Sequence, residues 1–299
     1  MTDRRIWLAK RQAPVLVAVL LAVLLAVLLA VLGGCSSTRT ESKPPQQPKP
    51  PQRIVLATTT STQDSGLLDV LVPAFEKAYP AYTVDVVAVG TGEALRLGEQ
   101  KDADVLLVHA RADEEAFVAK GFGIERRDVC YNRFVLVGPA ADPADVAHAS
   151  GAADALARIA KKGSPFVSRG DDSGTHKKEK SLWAASGVKP GGAWYIVTGQ
   201  GMGETLKVAS EKQAYTLTDE ATYLTMKDSL DLSLLLGDDP SLYNQYGVIP
   251  VTGARNEEGA RAFADWICGP EGQRLIGSFG VDRFGRPLFT PNAPGGEKS

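Results

Sequence analysis

Three hydroxyl-rich segments each lie where an apolar, strand-like pattern gives way to a helical pattern. They read ATTTSTQDSG (57–66), VGTGEAL (89–95) and FVSRGDDSGTHKKE (166–179). Hydroxyls and free backbone N–H groups at a helix start can bind an anion, and the helix dipole adds about half a positive charge. An ordinary N-cap needs only one hydroxyl residue. The run TTTST (58–62) therefore favours binding, whereas capping explains Thr91 equally well.

The third of these segments also carries a fixed positive charge. Arg169 presents a rigid fork of N–H donors whose geometry suits an oxyanion. At the helix start that follows, Ser173, Gly174 and Thr175 supply backbone N–H groups and hydroxyls. The alternative is a surface turn with a helix cap, but the arginine and the two similar segments favour an anion-binding loop.

Two aspartates in this segment look out of place in an anion site. Asp171 and Asp172 act as supports if their carboxylates pair with Arg169 or with loop N–H groups and so hold the donors in place. A carboxylate that faced the ligand would instead accept a proton from it, as a protonated phosphate offers. The two explanations lead to different ligands, and the residue types leave both open.

Short apolar runs and helical patterns alternate from residue 53 onward. RIVLA (53–57), TVDVVAV (83–89) and ADVLLVHA (103–110) read as strands followed by helices, and the alternation resumes at PFVSR (165–169). This order predicts an α/β fold with a mainly parallel sheet that helices cover. The hydroxyl-rich segments all follow strands and precede helices, at the sheet edge where open α/β folds bind ligands.

Two further strands suggest how the chain divides. VCYNRFVLVG (129–138) and QYGVIPV (245–251) flank a middle segment of the chain. If the chain crosses between two lobes at these strands, one lobe comprises 53–131 plus 247–299 and the other 132–246. Two lobes on a two-strand hinge can close around a ligand. The alternative is one continuous open sheet.

The N-terminal region has the pattern of an export signal. Residues 1–34 combine a basic start with an uncharged apolar run (13–32), which a signal peptide requires. The sequence LGGC then resembles the lipobox of bacterial lipoproteins, with Cys35 as the lipidated residue. An uncleaved membrane helix is the alternative, because the run is long enough to span a bilayer. The Pro-rich stretch 35–52 is expected to be a semi-extended tether.

The composition limits the classes of partner. The formal net charge of −2 argues against nucleic acid, but a local nest of donors can still bind a small anion. Besides Cys35, Cys130 and Cys268 are too few for a disulfide scaffold, and they are either an oxidised pair or two buried thiols. No Cys or His pair has metal-ligand spacing, so no metal is expected, and the alternative is a hard cation on Asp171 and Asp172.

An exported hydrolase is the main alternative from another class. Ser173, His176 and a neighbouring aspartate suggest a triad, but Ser and His lie three residues apart at a helix start. No G-x-S-x-G elbow presents the serine. His109, at the end of a strand, and His148 have no evident partners. Catalysis is therefore not expected.

Six segments between residues 53 and 286 together resemble the tungstate-binding proteins of bacterial tungstate ABC transporters. They are ATTTSTQDSGLLD, VGTGEAL, YNRFVLVGP, FVSRGDDSGTHKKE, GQGMGETL and AYTLTDEATY. The combination of TTTS with SRGDDSGTH is specific, whereas GTG or GQGMG alone is not. The resemblance implies a two-lobed type II periplasmic binding protein fold, with a mixed, mainly parallel sheet flanked by helices in each lobe and a two-strand hinge.

The resemblance also implies an oxyanion held by hydrogen bonds between the lobes. The matching positions here are Thr60, Ser61, Thr91, Arg169, Ser173, Gly174 and Thr175. It leaves open whether Thr59 or Thr60 touches an oxygen, and whether GQGMG (199–203) binds the ligand or only caps a helix. Asp171 and Asp172 are expected to orient the loop.

A protein of this kind is no enzyme and needs no cofactor. It is expected to be an exported, lipid-anchored monomer that captures tungstate or molybdate and passes it to an ABC permease in the cytoplasmic membrane. Tungstate carries no proton at neutral pH, so its site should consist of donors. SRGDDSGT also resembles the loop of phosphate-binding proteins, in which an aspartate accepts the phosphate proton, so phosphate is an alternative ligand. A sensor that reports the oxyanion to a membrane receptor is an alternative role.

Overall fold

The computed structural model describes residues 50–294 of the chain. The predicted signal segment (1–34), the lipidation site at Cys35 and the tether up to residue 49 lie outside the described residues. Within 50–294, no helix is both long and apolar enough to cross a membrane. The first strand begins at Gln52, one residue before the predicted start of the folded part.

Strands and helices alternate along the first half of the described chain, as predicted. The strands are β1 Gln52–Thr59, β2 Tyr82–Val89, β3 Val105–Val108, β4 Arg127–Gly138, β5 Phe166–Ser168, β6 Tyr195–Val197, β7 Thr216–Asp219, β8 Ser233–Leu236, β9 Tyr243–Pro250 and β10 Thr290–Pro291. The α-helices are α1 Thr60–Asp64, α2 Leu67–Ala78, α3 Thr91–Glu99, α4 Arg111–Ala119, α5 Ala152–Lys162, α6 Gly174–Ser186, α7 Met202–Glu211, α8 Glu220–Met226, α9 Glu257–Cys268, α10 Pro270–Ser278 and α11 Val281–Phe284.

The sheet that carries the first two hydroxyl-rich segments is mixed. Strand β1 lies between β2 and β3 and pairs with both in parallel, whereas β9 pairs antiparallel with β3 and β4. Strand β5 pairs in parallel with β6 in a separate two-stranded sheet. The parallel pairs bring the carboxyl ends of β1, β2 and β3 to one edge, and residues that follow these strands therefore meet there.

Strand β4 changes partners along its length. Residues 127–133 pair with β9, and residues 134–137 pair with β7. Strand β8 also pairs with the second half of β4, with a register shift between Leu136 and Val137. Strand β4 therefore connects β9, which pairs with its first half, to β7 and β8, which pair with its second half.

The buried apolar residues form separate clusters. Phe75 and Phe263 belong to one that packs α2 and α9 against β1 and β3. Phe166 and Trp183 belong to another that packs α5 and α6 against the strands of the middle segment. Helix α2 makes the first contact through Phe75, which lies with Leu68 and Leu71 on the buried apolar face of the helix.

The two remaining cysteines are buried thiols and do not form a disulfide. Burial raises the pKa of both Cys130 and Cys268, the latter to about 11. Both groups therefore stay protonated and unreactive at neutral pH.

Candidate functional site

The three hydroxyl-rich segments meet in the structure. We name their central parts the TTTS loop (58–61), the GTG loop (90–92) and the SRGDDSGT loop (168–175). Arg169 Nη2 donates to Thr60 Oγ1 over 2.9 Å, which joins the SRGDDSGT loop to the TTTS loop. The backbone N–H of Gly174 donates to Thr91 Oγ1 over 3.0 Å, which joins it to the GTG loop. The predicted ligand residues are therefore brought to one place.

Two glycines allow this close approach. A Cβ atom on Gly174 would lie 2.9 Å from the ring of His109, and one on Gly90 would lie 3.0 Å from the carbonyl oxygen of Asp171. The first of these distances is shorter than a carbon side chain tolerates and the second is at the limit. Glycine is thus required where the SRGDDSGT loop packs against its neighbours.

Arg169 is the most unusual group of the site. Its side chain is 1 % exposed, and Nη2 donates to Thr60 Oγ1 and to Asp171 Oδ2. Within residues 50–294, Nε and Nη1 are buried without any hydrogen-bond partner. A buried donor without an acceptor is costly. The guanidinium is therefore built to receive an acceptor that the described residues do not supply.

Hydroxyl groups around Arg169 are in a similar state. Thr60, Thr91 and Ser173 each accept a hydrogen bond through the side-chain oxygen, and none of them donates one to a described residue. Thr175 Oγ1 is buried and has no partner in the described part of the chain. These protons and those of Arg169 form a set of uncommitted donors. A tetrahedral oxyanion, which only accepts, is the complementary ligand.

Thr59 and Ser61 differ from Thr60. The Thr59 side chain caps α1 by accepting from the N–H of Thr62, and its Oγ1 lies 2.7 Å from Thr62 Oγ1 and 3.0 Å from Ser61 Oγ. His109 Nε2 lies 3.1 Å from Oγ1 of Thr59 and from Oγ of Ser61. The hydroxyl of Thr59 is thus surrounded by partners of its own loop and by His109.

The capping alternative fails for Thr91. Helix α3 begins at Thr91, and its N-cap is Gly90, which makes no side-chain cap. The Thr91 hydroxyl instead accepts from Gly174, which lies more than eighty residues further along the chain. Its role is therefore to join two loops.

The two aspartates have different surroundings. Asp171 accepts from Arg169 Nη2 with one oxygen and from the N–H of Ser173 with the other. Asp172 adopts a positive φ of 56° and forms ion pairs with Lys177 and Lys180 over 3.5 and 3.3 Å. Partial burial raises the pKa of Asp172, but the two ammonium groups outweigh this and lower it below its usual value. Asp171 therefore bonds to Arg169 and to its own loop, whereas Asp172 pairs with lysines.

His109 is part of the site although its sequence neighbourhood shows no partner. It follows β3 at the sheet edge that carries the TTTS loop, and its Nδ1 lies 3.0 Å from Asn244 Oδ1. Burial and the charge of Arg169 lower the pKa of His109 to about 3. The imidazole is therefore neutral at physiological pH. In the sequence, only the position of His109 at the end of a strand indicated a place near the site. Its partner on β9, Asn244, is too far away in sequence to be predicted.

The GQGMG segment (199–203) starts helix α7 and meets α1. The N–H of Gly203 donates to Asp64 Oδ2 over 3.0 Å, and the N–H of Met202 lies 3.4 Å from Thr60 Oγ1. Burial raises the pKa of Asp64 despite the hydrogen bond from Gly203. The N-terminus of α7 is thus occupied by a carboxylate of the neighbouring helix.

The geometry of a catalytic triad is not present at Ser173. Its Oγ accepts from the backbone N–H of His176, and the imidazole Nδ1 of His176 accepts from the N–H of Asp172. A nucleophile needs a hydrogen bond to its base. In residues 50–294, no three His, Cys, Asp or Glu side chains cluster as a metal site.

The chain has several relatives among known proteins. Residues 43–271 match the model of the PBP superfamily domain. The tungstate-binding protein TupA of Peptoclostridium acidaminophilum is 50 % identical over 268 residues, which cover 88 % of this chain and 93 % of TupA. Two solved structures also align: a tungstate ABC transporter protein from Geobacter sulfurreducens and the tungstate-binding protein TupA from Desulfovibrio alaskensis G20.

The structural agreement extends over most of the folded part. The Geobacter protein is 50 % identical, with a TM-score of 0.70, and the match covers 76 % of this chain and 98 % of that protein. The Desulfovibrio protein is 46 % identical, with a TM-score of 0.67 and coverage of 81 % and 100 %. These proteins bind solutes for transport and are not enzymes. The chain belongs to the PBP superfamily and, within it, to the family of ABC-transporter tungstate-binding proteins.

Proposed function

We propose that this protein binds tungstate through a site made of donors and delivers it to an ABC permease. The observation that carries the proposal is Arg169, a buried guanidinium with two nitrogens, Nε and Nη1, that have no acceptor among residues 50–294. An anion at this point would satisfy both donors and neutralise the charge. Tungstate is the ligand that the relatives' names give, and it is the bound ligand here, not a cofactor.

The proposed ligand residues lie on the three loops that meet at this position. They are Thr60, Ser61, Thr91, Arg169, Ser173, Gly174 and Thr175, with Asp171 and Asp172 as supports of the loop. Thr60 rather than Thr59 is the proposed contact, because Thr60 has an uncommitted proton and Thr59 is surrounded by interior partners.

The site is proposed to lie in a cleft between two lobes, 53–131 with 247–299 and 132–246. Two apolar clusters draw almost entirely on residues 54–130 and 246–293, and two others draw on residues 134–242. Strands β4 and β9 run between these groups. Closure of the lobes would bring the TTTS and SRGDDSGT loops onto the ligand from two sides.

The surroundings of the two aspartates support tungstate over phosphate as the ligand. Both oxygens of Asp171 accept from the loop itself, and Asp172 pairs with lysines. Both carboxylates are thus engaged by other partners and do not offer an acceptor for the proton of a hydrogen phosphate. This favours an unprotonated dianion as the ligand. Molybdate has nearly the same size and charge as tungstate, so we propose it as a second ligand.

The protein is proposed to act as a monomer outside the cytoplasmic membrane. Export fits a solute-binding protein of an ABC transporter, and the sequence before residue 35 has the pattern of a signal peptide. A lipid on Cys35 with the Pro-rich tether would keep the binding domain near the permease. A sensor that passes the signal to a membrane receptor is the alternative use of the same site.

Calorimetric titration tests the proposal. The chain is titrated at one pH with tungstate, molybdate, phosphate and sulfate. Tight binding of tungstate without binding of phosphate is expected. Binding of phosphate with weak binding of tungstate would contradict the proposal, because it would require an aspartate to face the ligand.

A further inference from the structure

We propose that His109 is a positioning residue of the oxyanion site, held by a chain of buried side chains in the tautomer that carries its proton on Nδ1. The chain consists of Asp219, Asn132 and Asn244. It arranges the TTTS loop so that Thr59 serves the protein interior and Ser61 keeps its proton for the ligand. This inference rests on the proposed function of the site.

This chain of hydrogen bonds connects side chains of β7, β4 and β9 with the residue that follows β3. Asn132 Nδ2 on β4 donates to Asp219 Oδ1 on β7 over 3.4 Å, and Asn244 Nδ2 on β9 donates to Asn132 Oδ1 over 2.7 Å. Asn244 Oδ1 then lies 3.0 Å from His109 Nδ1, after β3. None of the four side chains is more than 5 % exposed. Water therefore does not compete with these hydrogen bonds.

The orientation of each amide group in this chain of hydrogen bonds follows from the carboxylate of Asp219 at one end. Oδ1 of Asp219 is an acceptor, so the amide nitrogen of Asn132 must face it and its oxygen must face Asn244. The same reasoning turns the oxygen of Asn244 to His109, so Nδ1 must carry the proton. Thr222 bonds to the other oxygen of Asp219, and a proton on that oxygen would leave Oδ1 an acceptor. The direction is thus kept in both protonation states.

The opposite nitrogen of His109 then offers a lone pair to the TTTS loop. Nε2 lies 3.1 Å from Thr59 Oγ1 and equally far from Ser61 Oγ, and one of these hydroxyls must donate to it. Thr59 already accepts the N–H of Thr62 at the helix cap. Thr62 Oγ1 lies 2.7 Å from Thr59 Oγ1 and can donate to it as well. If Thr59 donates to Nε2, both of its lone pairs are then taken by Thr62, so Ser61 Oγ, 3.0 Å away, has no acceptor at Thr59 and keeps its proton for an oxyanion.

The imidazole also connects two loops. Its ring contacts Gly174 so closely that a Cβ atom there would lie 2.9 Å from Nδ1, while Nε2 bonds to the TTTS loop. A ring that rotates or changes its tautomer would disturb both loops. The position of His109 therefore sets the spacing of donors on two sides of the site.

The test combines a spectrum with a titration. In ligand-free protein, ¹⁵N NMR of the histidine rings distinguishes a protonated Nδ1 from a protonated Nε2, and tungstate affinity is measured by calorimetry on the full chain in detergent. The unmodified protein should show a proton on Nδ1 of His109. Asn244→Leu should give mixed tautomers and roughly ten- to a hundredfold weaker tungstate binding, the size of loss seen when the hydrogen-bond partner of a metal-ligating histidine is removed.

Gln245→Leu is the matched control. Gln245 neighbours Asn244 on β9 and is also a buried amide, but it donates to the carbonyl oxygens of Cys130 and Tyr246. Its loss should lower stability without changing the tautomer of His109 or the affinity. In a second pair of variants, His109→Gln retains an acceptor near the Nε2 position and should bind more tightly than His109→Leu.

Two results would overturn the inference: a proton on Nε2 in the unmodified protein, or full affinity in Asn244→Leu. Equal losses in the Asn244 and Gln245 variants would also overturn it, because they would show a general effect of damage to β9. Failure of the unmodified chain to bind tungstate would instead overturn the proposed function, and the tautomer would still show whether the chain of hydrogen bonds exists.

Discussion

The TTTS loop and the SRGDDSGT loop both begin helices after strands, but they use their polar groups differently. In the TTTS loop, Thr58 donates to the carbonyl oxygen of Leu107, and Thr59 bonds within its own loop and to His109. In the SRGDDSGT loop, Arg169 and Thr175 keep donors without partners among residues 50–294. A high number of hydroxyls therefore does not by itself give a high number of ligand contacts.

The difference has a physical origin. Hydroxyls can donate and accept, so neighbouring hydroxyls satisfy one another when they are buried together. A guanidinium only donates, and a single aspartate occupies one side of its fork. The remaining donors of Arg169 stay available because Asp171 fixes the arginine without enclosing it.

Replacement of the arginine should have the largest effect on binding. Arg169→Ala removes the fixed charge and the uncommitted N–H donors on Nε and Nη1, and we expect tungstate binding to weaken by about 2–5 kcal/mol, the cost of truncating one member of a buried charge pair. Calorimetry measures the affinity, and thermal unfolding shows whether the fold survives. Arg96→Ala on α3 is a matched control, because Arg96 pairs with Glu93 at the surface. Unchanged affinity in Arg169→Ala would remove this residue from the site.

Asp219 is the buried N-cap of α8 and gives a pH-dependent prediction. Burial raises its pKa from 3.8 to about 6. Between these values the folded protein holds a proton that the unfolded chain has lost, so the free energy of unfolding falls as pH rises through this window, by about 3 kcal/mol for this group. In Asp219→Asn this part of the pH dependence should be absent.

Urea unfolding at pH 4 and pH 7 measures this pH dependence of the free energy of unfolding. From pH 4 to pH 7, the free energy of unfolding should fall further in the unmodified protein than in Asp219→Asn. Other groups titrate equally in both proteins and cancel in this comparison. The same pH dependence in both proteins would mean that Asp219 is ionised in the folded state at pH 4.

A pair of threonine variants tests the difference within the TTTS loop. Thr60→Val removes an uncommitted proton next to Arg169 and should weaken tungstate binding by about 1.5–3 kcal/mol, as expected for a hydrogen bond to a charged group. Thr59→Val removes an N-cap and should lower stability by about 1 kcal/mol with a smaller effect on affinity. Calorimetry and urea unfolding of both variants separate the two effects. Equal losses of affinity would show that the division between the two threonines is wrong.

The strands and the binding edge of the sheet were predictable from the sequence. The apolar runs at RIVLA, TVDVVAV and ADVLLVHA correspond to β1, β2 and β3, and the α/β fold of a periplasmic binding protein is confirmed. Such patterns are local, because strand and helix periodicity shows within a few residues. The parallel pairing of β1 and β2 likewise brings the TTTS and GTG loops to one sheet edge, whereas the SRGDDSGT loop follows β5 of a separate sheet and joins them through long-range hydrogen bonds.

The details of the site depended on contacts that are distant in sequence. The partner of His109 is Asn244, and the partner of the Gly203 N–H is Asp64. Neither pair has a spacing that a local pattern could reveal. Thr91 resembled a helix cap because threonine is common at caps, whereas its hydroxyl bonds to the SRGDDSGT loop. Side-chain types limited the candidates, but only packing assigned their roles.

The smallest expected effect concerns the second aspartate and distinguishes the two ligands. Asp172 is an exposed residue that forms ion pairs with Lys177 and Lys180, so Asp172→Asn should change tungstate affinity by less than about 1 kcal/mol. Asp171→Asn should cost more, because it weakens the bond that holds Arg169. The measurement is calorimetry with tungstate and phosphate on both variants. A large loss in Asp172→Asn confined to phosphate would show that this carboxylate accepts the proton of a bound phosphate, and the SRGDDSGT loop would then not be a set of donors alone.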